Sequence, residues 1–150
     1  CYNMLAIIQG ESLSDQERYT LISKAADIAL EHRDQGFDLF LSRMFPQNRA
    51  SFAFKCLEKG SPIEGVTIEM IDRWHDQVQE MCQKQGLSHF YDAIFCLNAA
   101  KAAHYRGDRA KCSDLLLKGL YVCSKHPSDS SDISRSILAF CADQGVSIKP

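Results

Sequence analysis

A sharp turn at residues 106–109, Arg-Gly-Asp-Arg, separates two stretches that each carry apolar residues at helical spacing. Glycine readily adopts the left-handed backbone that ends a helix, and aspartate is a common cap for the next one. Two helices joined by so short a turn lie side by side and antiparallel. The turn therefore predicts a helical hairpin over residues 88–126, and this constrains the fold more than any other feature.

The two helices of this hairpin are predicted to pack closely, because small residues line their facing sides. In the first helix, Phe90, Ile94 and Leu97 form one stripe, and the second stripe is Cys96, Ala99, Ala100 and Ala103. In the second helix, the inward positions are Cys112, Leu115, Leu116, Gly119, Leu120 and Cys123. Small side chains at a helix contact shorten the distance between the axes. A first helix that is apolar on most sides is typical of a central helix.

The N-terminal part opens with a helix of its own. Ser14 and Glu17 have the spacing of a capping box, in which each residue hydrogen-bonds the backbone of the other. The helix that they begin is predicted to run to about Gln35, with Gly36 as its left-handed stop.

Three further helices are predicted between this one and the hairpin. A short helix over residues 37–45 ends before Pro46, because proline disfavours helical geometry in the residue before it. The next spans residues 47–59. Thr67 caps a helix that carries apolar residues at helical spacing and ends at Gly86.

A last helix is predicted over residues 133–144, after a polar link at 128–132, with Gly145 as its stop. No segment shows sustained alternation of polar and apolar residues, so no sheet is expected. The predicted fold class is all-α, with about six helices in antiparallel hairpins. They form either an irregular helical bundle or a short array of helical repeats.

The hairpin resembles a tetratricopeptide repeat, a helix-turn-helix unit of about 34 residues. In the first helix, the family's tryptophan, leucine-glycine pair and tyrosine fall on Cys96, Ala99-Ala100 and Ala103. In the second helix, its small, aromatic and small positions fall on Cys112, Leu116 and Gly119, and its terminal proline falls on Ser124, whereas this chain has Pro127. The side chains at these positions agree with the family pattern in size better than they agree with its aromatic residues. The chain has one copy of the pattern. The resemblance implies a helical surface that binds another protein.

Composition limits the class of protein. The chain has 150 residues, of which 45% are hydrophobic and 24% charged, which predicts a single domain over residues 1–150. The 17 basic and 19 acidic residues give a net charge of -2, so we expect no nucleic-acid partner. Apolar runs such as Met4 to Ile8 are far shorter than the roughly 20 residues of a membrane span.

The seven cysteines are an odd number without a Cys-x-x-Cys pair, and most fall at apolar helix positions. This pattern favours core thiols, a reducing compartment and hence a cytoplasmic location. Cys1 in place of methionine suggests a fragment or a processed chain end.

Two groups of residues are candidates for chemistry. His75, Cys82 and His89 offer a base and a thiol, and would support a small helical enzyme. However, His75 and Cys82 are seven residues apart, or about 10.5 Å along a helix, which is beyond hydrogen-bond reach. Cys123 and His126 could present two metal ligands from one turn, but zinc needs four, and core packing explains them as well. We predict no catalytic residue, no metal and no cofactor, and we place Asp72, His75 and Asp76 on or near the solvated edge.

A basic group near the turn is the candidate binding surface. It comprises Lys101, His104, Arg106 and Arg109, and it could receive an acidic peptide or a phosphate, or simply solvate the hairpin end. The predicted function is a protein–protein interaction module, an adaptor, chaperone or immunity-type protein, without catalysis of its own. The alternatives are the small enzyme and a sensor of a small ligand or metal. Phenylalanines over residues 37–54 also suggest self-association as a homo-oligomer.

Overall fold

A computed structural model describes residues 12–32, 39–85, 89–125 and 127–148. Within these residues it contains six α-helices and no β-strand, so the predicted all-α fold class is confirmed. The chain divides into two compact units, residues 1–85 and residues 86–150. Each unit contains three of the described helices. The expectation of a single domain over residues 1–150 stays a prediction.

The first unit has α2 as its middle helix, because α2 packs against both of the other helices. Its helices are α1 (Asp15–Glu31), α2 (Leu39–Glu58) and α3 (Ile68–Gln85). Thr67 caps α3 as predicted, since its hydroxyl accepts the backbone N–H of Met70 at 3.3 Å.

The capping box at the start of α1 is confirmed. The Glu17 N–H donates to Ser14 Oγ at 3.2 Å, and the Ser14 N–H donates to Glu17 Oε2 at 2.8 Å. These hydrogen bonds favour the ionised carboxylate and lower the pKa of Glu17. The helix ends at Glu31, earlier than predicted, and His32 caps it through its N–H to the Ile28 carbonyl. The predicted stop at Gly36 lies outside the described residues.

The predicted break before Pro46 is wrong, since α2 continues through this residue. A proline inside a helix costs about 3 kcal/mol, because it lacks an N–H and crowds the carbonyl four residues earlier. Phe45 and Phe54 lie on either side of it and are both buried. Burial of two such side chains contributes about 3 to 6 kcal/mol, so an unbroken helix that buries both is favoured. Phe45 packs against the buried alanines of α1, which are Ala25, Ala26 and Ala29.

Arg49 of α2 joins all three helices of the first unit. Its Nη1 donates to Asp27 Oδ1 of α1 at 2.8 Å, and its guanidinium lies 4.4 Å from the ring centroid of Trp74 in α3. The Trp74 ring stacks in turn on Tyr19 of α1, with the centroids 6.4 Å apart. The Arg49 side chain is nearly buried while that of Asp27 is mostly exposed. The contact with Trp74, rather than the ion pair, is therefore expected to provide most of the stabilisation.

The second unit consists of the predicted hairpin and a third helix. Its helices are α4 (His89–Tyr105), α5 (Arg109–Lys125) and α6 (Pro127–Gln144), and α5 packs against both of the others. The α6 boundary differs from the prediction, because residues 128–132 belong to the helix instead of a polar link. Proline is favoured at the first position of a helix, where its missing N–H has no intrahelical partner to lose. The predicted stop at Gly145 is confirmed.

Gly119 of α5 lies where the three helices of the second unit meet. A Cβ atom at this position would lie 3.2 Å from Cys96 Cβ of α4 and 2.9 Å from Ile137 Cδ1 of α6. Both distances are shorter than ordinary carbon contacts, so nothing larger than hydrogen fits without movement. The close contact between small residues that the sequence predicted is therefore present in the structure.

Gly119→Val should destabilise the protein by about 2 to 3 kcal/mol, because the added atoms overpack the three-helix contact. Gly119→Ala should be better tolerated in an Ile137→Val background, since valine lacks the Cδ1 atom that the new methyl group would meet. Urea unfolding followed by far-UV circular dichroism measures both effects.

The matched control for Gly119→Val is Lys118→Val, which places the same side chain at an exposed position of α5. We expect this control to cost under about 1 kcal/mol, as a difference in helix propensity. Equal losses for the two substitutions would contradict a tight contact at Gly119.

Arg49→Ala should destabilise the first unit by about 2 kcal/mol, through loss of the cation–π contact and of the packed side-chain stem. Asp27→Asn should cost under about 1 kcal/mol, because the carboxylate is largely exposed. Trp74 is the only tryptophan, so its fluorescence reports on this contact directly. We expect a red-shifted emission for Arg49→Ala and an unchanged emission for Arg73→Ala, an exposed neighbour on α3. A larger loss for Asp27→Asn than for Arg49→Ala would refute this ranking.

Candidate functional site

A cleft of about 290 Å³ opens at one end of the second unit. It lies between the last turn of α4, the first turns of α5 and the segment that follows α6. Its lining residues are His104, Arg109, Ser113, Gln144, Gly145, Val146 and Ser147. Residues from the middle of this unit and from its C-terminal part therefore share one cleft.

The turn between α4 and α5 forms the first side of the cleft. Gly107 has a φ of 81°, and its N–H donates to the carbonyl of His104 at 2.9 Å. The N–H of Asp108 donates to the carbonyl of Ala103, also at 2.9 Å, which completes a Schellman motif. Asp108 then caps α5 by accepting the N–H of Lys111 at 3.0 Å. This turn fixes the end of α4 next to the start of α5.

The segment after α6 forms the opposite side. Gly145 ends α6 with a second Schellman motif, in which the Val146 N–H donates to the Cys141 carbonyl at 3.0 Å. The chain then returns to α5, where Ser113 Oγ donates to the Ser147 carbonyl at 3.4 Å. The hydrogen bonds that satisfy two helix ends thus position both walls of the cleft.

His104 contributes a ring that is only partly buried. It is perpendicular to the ring of Phe140, with the centroids 5.6 Å apart and an angle of 84° between the planes. Nδ1 is sealed from solvent and has no hydrogen-bond partner among the described residues. Nε2 is therefore the ring nitrogen that can serve a ligand. An N–H buried without an acceptor is costly, so of the two singly protonated tautomers the one with its proton on Nε2 is favoured.

Two cations accompany this histidine. The Nζ atom of Lys101 lies 6.0 Å from the centroid of the same Phe140 ring, which places it near His104. Arg109 is exposed at the first position of α5 and forms no ion pair with any residue that the structure describes. No aspartate or glutamate lines the cleft. The cleft therefore offers hydrogen-bond donors and positive charge.

The structure brings most of the predicted basic group together. His104 and Arg109 line the cleft, and Lys101 shares the Phe140 contact, whereas Arg106 is exposed in the turn and is not a lining residue. Sequence reasoning missed Ser113, Phe140 and residues 144–147. Gly145 marked the end of α6, but nothing in the sequence indicated that the following residues return to α5.

The candidate enzyme residues are placed differently from the sequence expectation. His75 has 0% exposure and Asp72 has 6%, so both are in the interior of the first unit and not at its solvated edge. α3 turns these two residues towards the packed side of the unit because they are spaced three apart. The side chains of Cys82 and His89 lie outside the described part of the structure. The small-enzyme alternative that uses Cys82 and His89 stays a hypothesis.

The candidate metal ligands are also only partly described. Cys123 is buried, and His126 lies outside the described residues. Among the residues that the structure describes, no group of three or more His, Cys, Asp or Glu side chains is arranged to hold a metal ion. The pair stays an untested alternative.

Neither the protein-family models, nor the curated proteins, nor the solved structures gave a match to this chain. In the described part of the chain, no helix combines the length and the apolar character needed to span a bilayer. The function is accordingly inferred from the chemistry of the residues in the cleft.

Three described thiols have pKa values above the ordinary value for cysteine. Burial raises the pKa of Cys56, Cys112 and Cys141, since a thiolate loses its hydration in a protein interior. Nearby negative charge adds to the effect at Cys112. These thiols are consequently poor nucleophiles, which fits a packing role.

We expect Cys56, Cys112 and Cys141 to react with iodoacetamide several times more slowly than free cysteine at pH 8. A raised pKa leaves less thiolate at a given pH, so the rates should increase as the pH rises above 9. Quantitative mass spectrometry of the alkylated peptides measures each site, and the urea-unfolded chain is the control. If any of the three reacted faster than free cysteine, its proposed packing role would be wrong.

Proposed function

We propose that this protein is a protein–protein interaction module that binds a segment of another protein at the cleft of the second unit and performs no catalysis of its own. The observation that carries the proposal is the convergence of His104, Arg109 and nearby Lys101 on one accessible cleft. The resemblance of the hairpin to a tetratricopeptide repeat, itself still a prediction, points to the same class of function.

Local charge supports a partner with negative character. Residues 101–111 contain four Lys or Arg side chains and one aspartate, a local charge of +3, whereas the whole chain has -2. Opposite charge on a partner would accelerate encounter and orient it on this end of the unit. The one acidic residue, Asp108, is engaged as the cap of α5.

The dimensions of the cleft favour a peptide segment. Its 290 Å³ lies at the lower limit of the roughly 300–1,000 Å³ that small-molecule pockets usually have. One or two side chains fill such a volume, while the rest of a peptide contacts the surface around it. Tyr105, next to His104 and 53% exposed, provides an aromatic surface of the type that interfaces favour.

Charge reversal at the cleft should abolish partner binding. In affinity capture from a lysate of cells that express the protein, the wild-type chain should retain a stoichiometric partner that Lys101→Glu/Arg109→Glu loses. Mass spectrometry identifies the retained protein, and isothermal titration with the purified partner should show at least about a tenfold loss of affinity, the size expected for a charged hydrogen bond.

The matched control is Arg73→Glu/Lys84→Glu, which makes the same change in net charge at exposed positions of α3 in the first unit. This control should retain the partner. If both double variants lose it equally, net charge and not the cleft governs binding, and if neither loses it, the cleft is not the binding surface.

A further inference from the structure

The lining of the cleft holds one formal charge, that of the Arg109 guanidinium. The other polar side chains of the lining belong to His104, Ser113, Gln144 and Ser147, and Gly145 and Val146 are apolar. Lys101 and Arg106 lie outside the lining, although near in the chain. A group bound inside the cleft therefore meets one positive charge. Lys101 and Arg106, outside the lining, attract negative charge at longer range.

We propose that the cleft binds a single carboxylate side chain, glutamate or aspartate, within an acidic segment of the partner, with Arg109 as its ion-pair partner and His104 Nε2 as a second donor. This inference deepens the proposed function and rests on it. A planar guanidinium donates two parallel hydrogen bonds to one carboxylate, which gives both strength and orientation.

Charge balance favours a carboxylate over a phosphate group. A carboxylate has one negative charge, which Arg109 neutralises. A phosphorylated side chain has about -1.5 to -2 at neutral pH and typically needs a cluster of arginines. Burial of uncompensated charge in the cleft would cost free energy, so the second charge disfavours phosphate.

The hydrogen-bonding capacity of the lining also fits a carboxylate. An ionised carboxylate accepts hydrogen bonds and donates none. His104 supplies an N–H at Nε2 because its Nδ1 is enclosed without an acceptor. Ser113 supplies a hydroxyl, whose 3.4 Å hydrogen bond to the Ser147 carbonyl is long and can be replaced by one to the bound carboxylate. The apolar atoms of Val146 can contact the methylene groups that precede the carboxylate.

The position of the remaining cations favours a side chain within an acidic segment over an isolated acid. Lys101 stands over Phe140 at the side of the cleft, and Arg106 is exposed in the adjoining turn. Further acidic residues beside the bound one would face these two cations. Such outer contacts are screened by salt, whereas the two parallel hydrogen bonds from Arg109 also fix the orientation of the bound carboxylate.

Fluorescence anisotropy with labelled peptides of about ten residues tests this inference. The probes are a glutamate-rich peptide with an amidated end, its glutamine counterpart, the glutamine counterpart with a free terminal carboxylate, and a peptide with one phosphoserine. We expect the glutamate peptide to bind at least about tenfold more tightly than the amidated glutamine peptide, and more tightly than the other two.

Substitutions at Arg109 show whether the cleft causes this preference. Arg109→Gln should remove it, and Arg109→Lys should weaken glutamate binding severalfold, since lysine keeps the charge but not the paired hydrogen bonds. Arg135→Gln, at an exposed arginine of α6 paired with Asp132, is the control and should leave affinity within about twofold. Arg109 is exposed, and a circular dichroism spectrum of each variant verifies its fold.

Three results would overturn the inference. Tighter binding of the phosphoserine peptide would assign a phosphate site, and tighter binding of the glutamine peptide with a free end would assign a terminal carboxylate site. A glutamate preference that persists in Arg109→Gln would mean that general charge attracts the peptide. In each of these cases the proposed function would still hold if Lys101→Glu/Arg109→Glu loses the partner in affinity capture. If that variant retains the partner, both this inference and the proposed function are refuted.

Discussion

The close approach of α4, α5 and α6 at Gly119 is the constraint on which the second unit depends. Any side chain at this position would meet Cys96 and Ile137, so the absence of one lets the helices pack at short distance. Because these helices lie close together, the turn at Gly107 comes within reach of the segment that follows Gly145. The cleft lies where the α4–α5 turn and the segment after α6 meet at the same end of these three helices.

The first unit is held by a different kind of contact. Arg49 from the middle helix packs on Trp74 and pairs with Asp27, so one long side chain contacts both neighbouring helices. The buried polar residues among those described all belong to this unit, on α2 and α3. Polar groups in a core require specific partners, which makes such a core more selective for one arrangement than an apolar one. The buried polar residues of α2 and α3 contribute to structure and are enclosed, whereas the cations of the second unit face solvent.

The two units differ in what their described residues offer to a partner. A partner in solution can reach Arg109 and the half-buried His104, but it finds no surface on His75. The thiols that are described are buried or half-buried, with raised pKa values, and so are suited to packing. What the cleft offers is donors and one positive charge in a small volume. This chemistry is suited to recognition of an anionic side chain.

The sequence by itself determined the helices and most of their ends, because capping and left-handed stops are local: Ser14, Gly107 and Gly145 act through neighbours within a few residues. It also determined the small-residue contact at Gly119. It failed at Pro46, where burial of flanking side chains outweighs a local penalty, and at residues 128–132, which continue a helix that begins at Pro127 instead of forming a polar link. Only the tertiary structure decided that His104, Arg109 and residues 144–147 form one cleft and that His75 is enclosed, because these depend on contacts between distant segments, which no local pattern encodes.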